Sequence, residues 1–183
     1  EIYQRAFTHK SYIKKKNFKE INIEDKPDNC LELQEKSNEV LEFLGDAILS
    51  SVIAQYLCER YPDEEEGFLT RMRTKIVNGE MLGSLAIKMG LNKHIIISRH
   101  LEDKCNGRNN VKIMEDLFES FIGALYLDYN EIELGESFNY MFYSGIGFQI
   151  CQIFIINIIE KFIDFTELIL NDTNFKDQLM RYM

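Results

Sequence analysis

The chain has 183 residues, 45% of them hydrophobic, and a formal net charge of −9 at neutral pH. That length suits one domain with a full core and room for a small appendage. The acidic balance argues against a protein that grips nucleic acid through an overall basic surface. Cys30, Cys58, Cys105 and Cys151 are scattered, with no Cys-x-x-Cys and no neighbouring His pair. This argues against zinc and against a disulfide framework, and for reduced cysteines in a cytoplasmic, cytosol-like compartment. An opening on Glu1 rather than Met reads as an excised fragment, with no signal peptide before the fold.

Only two prolines occur, Pro27 and Pro62, and the apolar residues recur at helical spacing without alternating strand runs. The expected fold class is therefore all-α. Residues 1–8 read as the end of an amphipathic helix bearing Ile2, Tyr3, Ala6 and Phe7. A polar segment from about Lys14 to Ser37 is longer than an ordinary helix connection and reads as an inserted loop. The main helix is expected from near Ser37 to Tyr61, stopped by Pro62. It is apolar almost all round, which predicts a place in the middle of a bundle.

Asp63 to Glu66 put acids at the start of the next helix, where the helix dipole favours them, and that helix runs to about Val77. Asn78-Gly79 marks a break, and Gly90 fits a C-terminal cap after a helix ending at Met89. Ile95-Ile96-Ile97 is long enough only for a bridging segment, and Ser98 to Asn110 reads as a polar loop. A second, largely buried helix follows from Lys112 to Tyr126. Ser137 to Ile159 holds no charged residue, but Gly145 and Gly147 interrupt it and Asn139, Gln149, Gln152 and Asn157 spread polarity along it. Two core helices joined at the glycines fit this pattern better than a membrane span, and no membrane partner is expected.

The chemistry is concentrated in the two apolar helices. Glu39, Glu42 and Asp46 are spaced i, i+3, i+7 and share one helix face within roughly 60°. Asp116 and Glu119 stand at i, i+3 on the second helix. Buried like charges repel and are costly to desolvate, so core packing does not ask for them. A divalent cation makes them favourable, and four carboxylates on two facing helices form an all-oxygen site suited to Mg²⁺ or Mn²⁺. Gly45 and Gly123 each cost helix stability, by about 1 kcal/mol relative to Ala. Close approach of the two acidic helices is the simplest account of both.

Glu39-Val-Leu-Glu-Phe-Leu-Gly-Asp46 resembles the signature segment of the ribonuclease III family. The likeness continues through Thr8-His-Lys-Ser11, Glu66-Gly-Phe-Leu-Thr-Arg-Met-Arg73 and Asp116-Leu-Phe-Glu119-Ser-Phe-Ile-Gly-Ala-Leu-Tyr-Leu-Asp128, in the family's order. The resemblance implies the helical bundle of a ribonuclease III endonuclease domain over residues 1–165, with the insert at about 14–37. Residues 166–183 are then a linker and the start of a double-stranded-RNA-binding domain, whose opening helix Asn174 to Tyr182 resembles. Carrying RNA affinity on a separate basic domain also reconciles the net charge with a nuclease.

By the same resemblance the chain is a divalent-metal-dependent endoribonuclease that cuts double-stranded RNA to 5′-phosphate products with short 3′ overhangs. Glu42, Asp46, Asp116 and Glu119 are the implied metal acids, with Mg²⁺ the expected ion and Mn²⁺ a substitute. Glu119 takes the most direct part in metal binding, and Asp46 orients metal-bound water. Glu39 and Glu66 map onto auxiliary acids, with ordinary helix-end solvation as their alternative. Lys112 departs from the bacterial pattern, which has Ser there, and matches the Lys of eukaryotic and Dicer-like domains. Its ammonium would contact the scissile phosphate, or else pair with Asp116 or Glu115. Arg71, Arg73 and Lys75 are candidates for RNA phosphate contacts. Phe43 falls where the family places an aromatic plug in the partner's socket, which implies a homodimer; the alternative is ordinary core.

Two other readings were open on sequence. A binding module that has lost catalysis would be expected to lose metal acids, whereas all four stand here. A di-iron oxidoreductase would need Glu-x-x-His pairs, and the chain has none.

Overall fold

The computed structural model describes residues 1–13, 31–131 and 145–170. Helices α1 (Ile2–Ala6), α2 (Glu39–Arg60), α3 (Glu66–Ile76), α4 (Gly79–Lys88), α5 (Arg99–Cys105), α6 (Val111–Tyr129), α7 (Gly147–Phe162) and α8 (Phe165–Leu170) follow in order. The fold is all-α, as the apolar spacing predicts, and its only ladder-like pairings among the described residues are two isolated bridges, Thr8 with Ile96 and Ile13 with Gln34.

Local chemistry explains most helix boundaries. Asn78 Oδ1 accepts from the Met81 N–H at 2.9 Å to start α4, and Asn110 Oδ1 accepts from Ile113 N–H at 3.2 Å to start α6. Gly90, at φ 78°, takes the left-handed conformation that ends the α4 segment. Within the Ser98 to Asn110 stretch, expected as a loop, Arg99–Cys105 forms α5, because Ser98 Oγ caps it by accepting from Leu101 N–H, and Gly107–Asn109 forms a 3-10 turn.

The centre of the bundle is α6, not α2. Apolar residues of α6 are buried around its whole circumference, from Ile113 and Met114 through Leu117, Phe118, Ile122 and Leu125 to Leu127. Helix α2 is apolar all round but buries only one side, with Leu41, Ile48, Leu49, Val52, Ile53 and Leu57 inward and Val40 and Phe43 exposed. By length and composition α2 could cross a membrane, but that inward side is spent on contact with α6. The expectation that α2 lies in the middle fails because, among the described residues, no element covers its outer face.

The α2–α6 interface is the most extensive among the described helices. Gly45 and Gly123 face each other across it: a Cβ on Gly45 would strike the Glu119 carbonyl, and one on Gly123 the Leu41 carbonyl. The two glycines therefore set the helix separation. Gly123→Ala is expected to destabilise the protein by about 1–3 kcal/mol through overpacking, despite the better helix propensity of alanine. Each kcal/mol corresponds to roughly 2–4 °C in Tm at this size, so a thermal melt resolves it. A parental melting temperature would show that the helices do not approach this closely.

The N-terminal segment ties down the acidic ends of both helices. Ser120 Oγ, fully buried beside Glu119, donates to the Ala6 carbonyl at 2.8 Å, and Asn38 N–H at the start of α2 donates to the Thr8 carbonyl at 2.9 Å. The far end of α2 is held by Arg60, which pairs with Glu160 on α7, donates to the Tyr56 hydroxyl at 2.8 Å and lies 4.2 Å over the Phe165 ring. Phe165 and Leu168 of α8 pack on the core.

Of the expected insert, residues 31–37 are described: Gln34 N–H donates to the Tyr12 carbonyl at 3.1 Å and the Tyr12 hydroxyl to the Leu31 carbonyl at 2.6 Å. Residues 14–30, the first of the two helices expected within 137–159, and the 174–182 segment lie outside the described residues.

Candidate active site

Where α2 and α6 come closest, carboxylates from both converge. Glu42, Asp116 and Glu119 each offer an oxygen within 4.8 Å of the others. Glu119 is buried, with 6% of its surface exposed. Burial first, then the negative charges of Asp46 and Glu115, push its carboxyl up to about 8. Burial and the neighbouring Asp116 raise Glu42 above the ordinary carboxylate range as well. With no cation bound, the cluster is thus an unfavourable meeting of like charges.

The donor set fits a hard divalent cation. All three groups are carboxylates, and Asp116 Oδ1 is buried with no hydrogen-bond donor. Lys112 Nζ reaches that oxygen at 2.9 Å as an ion pair, without the alignment of a hydrogen bond, and Glu115 Oε2 at 3.1 Å. Pairing with Asp116 above all, and with Glu115, raises the pKa of the ammonium. An oxygen-lined, partly open cluster of this kind suits Mg²⁺ or Mn²⁺ better than softer metals.

The remaining acids of the sequence reading stand outside the trio. Asp46 is exposed one turn beyond Glu42, near enough for its charge to raise Glu119. Glu39 accepts from Ser37 Oγ at 3.0 Å and pairs with Lys10 at 3.2 Å, and these contacts lower its pKa. Glu66, exposed at the start of α3, accepts from Thr70 Oγ1 at 2.7 Å. The i, i+3, i+7 face therefore fans out: Glu42 enters the cluster, Asp46 borders it, and Glu39 turns to Lys10.

On α3, Arg73 is exposed and Arg71 half-buried, while Lys75 Nζ donates to the Leu168 carbonyl at 2.8 Å and so ties α3 to α8. Phe43 is 80% exposed on the outer face of α2 beside the acids, outside the core formed by the described residues. His9 Nδ1 accepts from Ser11 N–H at 3.1 Å, and burial, then Lys10, lower the pKa of its ring. Sequence reasoning named Glu115 only as an alternative partner of Lys112. The one signal for its placement is Gly79, whose missing side chain leaves room for the Glu115 carboxylate.

Two glycine-spaced helices of an all-α bundle that bring carboxylates to one partly buried point define a metal-type acidic site. Residues 39–130, which hold all of it, match the Ribonuclease III domain. The chain belongs to the ribonuclease III family. It is 34% identical over 181 residues to an Acanthamoeba polyphaga mimivirus protein described as a ribonuclease 3, covering 99% of this chain and 30% of that one. It is 40% identical over 128 residues to the ribonuclease 3 of Staphylococcus aureus strain RF122, covering 70% of this chain and 46% of that one. The nuclease domain of ribonuclease III from Campylobacter jejuni superposes with a TM-score of 0.63 at 28% identity, covering 87% of this chain and 85% of that one. The chain thus spans between about a third and a half of the length of the curated relatives it matches.

Proposed function

We propose that this chain is the catalytic part of a divalent-metal-dependent endoribonuclease that cleaves double-stranded RNA to products with 5′ phosphates and short 3′ overhangs. The trio Glu42, Asp116 and Glu119, inside a Ribonuclease III domain and buried at Glu119, carries the reading. Glu42, Asp46, Asp116 and Glu119 hold Mg²⁺, for which Mn²⁺ substitutes. Bound cations supply charge neutralisation at phosphorus, activation of the attacking water and help for the leaving 3′ oxygen. Asp46, on the exposed edge, orients the attacking water, and Lys112 meets the negative charge that develops on the phosphate. Glu39 and Glu66 flank the substrate path, with Arg71 and Arg73 as phosphate contacts. Incubating the protein with a long RNA duplex, with and without Mg²⁺, tests this: duplex shortening only with the cation is the expected result. An intact duplex in Mg²⁺ and in Mn²⁺ refutes it.

The uncovered face of α2 supports a homodimer. Val40 and Phe43 leave an apolar patch beside the acids, and the Campylobacter jejuni nuclease domain is described as having a region involved in dimer formation. Phe43 fills a cavity of the second copy, placing two acidic sites along one duplex. Phe43→Ala is expected to leave the single-chain fold nearly unchanged, since the ring is exposed there, and to weaken the dimer by roughly 3–5 kcal/mol if fully buried in it. Sedimentation at low micromolar concentration reads the difference; an undiminished dimer would remove Phe43 from the interface.

A further inference from the structure

Lys112 touches two carboxylates, and only Asp116 belongs to the trio. Glu115 and Asp116 are successive residues of α6, so their side chains leave the helix about 100° apart. Glu115 turns toward the start of α4: a Cβ on Gly79 would lie 2.7 Å from its Oε2 and 3.2 Å from its Oε1. A side chain at position 79 would displace the carboxylate from this position. The first turn of α4, capped by Asn78, presents the positive end of its helix dipole to that carboxylate. Glu115 thus lies against the start of α4, to one side of the trio.

A cation on Asp116 and an ammonium 2.9 Å from the same carboxylate oxygen compete for that oxygen and repel each other. Loading the trio requires the ammonium to give up Asp116. Resting on the metal-dependent reading above, we propose that Glu115 is a positioning residue that retains Lys112 when a cation occupies Asp116. The ammonium already lies 3.1 Å from Glu115 Oε2, so the exchange needs a small movement of a flexible side chain and no helix shift. Lys112 thereby stands in for a cation when none is bound and stays at the edge of the site, facing incoming phosphate, when one is. Without Glu115 its alternatives are Asp116, in competition with the metal, and bulk water.

The test is a double-mutant cycle on Mg²⁺ binding, measured by calorimetry on the metal-free chain, with thermal melts to verify that each variant is folded. With Lys112 present, Glu115→Gln is expected to weaken Mg²⁺ binding about tenfold, equivalent to about 1.4 kcal/mol. In a Lys112→Met background the same change is expected to cost less than about threefold, because no ammonium remains to be displaced. That non-additivity separates retention of Lys112 from a general charge effect. An equal loss in both backgrounds, or parental affinity in Glu115→Gln, overturns the proposal. Failure of the parental chain to bind Mg²⁺ at all is a different result: it overturns the metal reading, and this proposal with it.

Discussion

Glu119→Gln is expected to abolish RNA cleavage while leaving the fold intact. Glutamine keeps the shape of the side chain but removes a ligand charge from the most buried corner of the trio. The same change has a signature without RNA. In the metal-free protein the Glu119 carboxyl is pushed up to about 8 from an ordinary 4.5. Between those values the folded chain holds a proton that the unfolded chain has released. This group's contribution is therefore most favourable below about pH 4.5 and is lost as pH rises through 8. The loss amounts to at most about 5 kcal/mol, at 1.36 kcal/mol per pH unit. Glutamine cannot ionise, so the metal-free variant should melt higher than the parent at pH 8.5 and similarly at pH 4.5. Added Mg²⁺ should raise the parental Tm most at alkaline pH and raise the variant's much less. A folded Glu119→Gln protein that cleaves at the parental rate would refute the site assignment.

Lys112→Ala is expected to lower the cleavage rate by a factor of order 10² to 10³, the usual worth of one preorganised charged contact in the transition state. If the ammonium meets charge that develops only at phosphorus, turnover falls much more than RNA affinity. Lys112 is ion-paired with Asp116 and Glu115, so a structural role must be separated from a catalytic one. With its side chain 66% exposed, this pairing adds little to stability. Removing the ammonium also removes a competitor for Asp116, so cation affinity should rise and both proteins must be compared at saturating Mg²⁺. Single-turnover cleavage at the parental rate under those conditions would exclude a catalytic lysine.

Lys112 stands out in the linear chain only through the family resemblance, whereas Glu119 is legible there because carboxylates in an apolar helix contradict the core they sit in. Glu42, Asp116 and Glu119 stand out for that reason, and Gly45 and Gly123 mark the close approach that brings them together. Helical class and most helix ends were equally local matters, decided by apolar spacing, Asn78 and Asn110 caps, and Gly90. Even α5 has a local signal, the Ser98 cap, which the polarity of the residues after it masks.

The tertiary structure decided how the acids are divided and which helix lies inside. Spacing puts Glu39, Glu42 and Asp46 on one face, but which of them meets α6 depends on the crossing of the two helices and on a competing partner, Lys10, distant in sequence. Periodicity shows that α2 is apolar all round; it does not show how many neighbours are available to cover it, so the exposure of Phe43 and the central place of α6 required the packed bundle. The seat of Glu115 against Gly79 is likewise a product of long-range packing, since residues 36 positions apart meet only when α4 docks on α6.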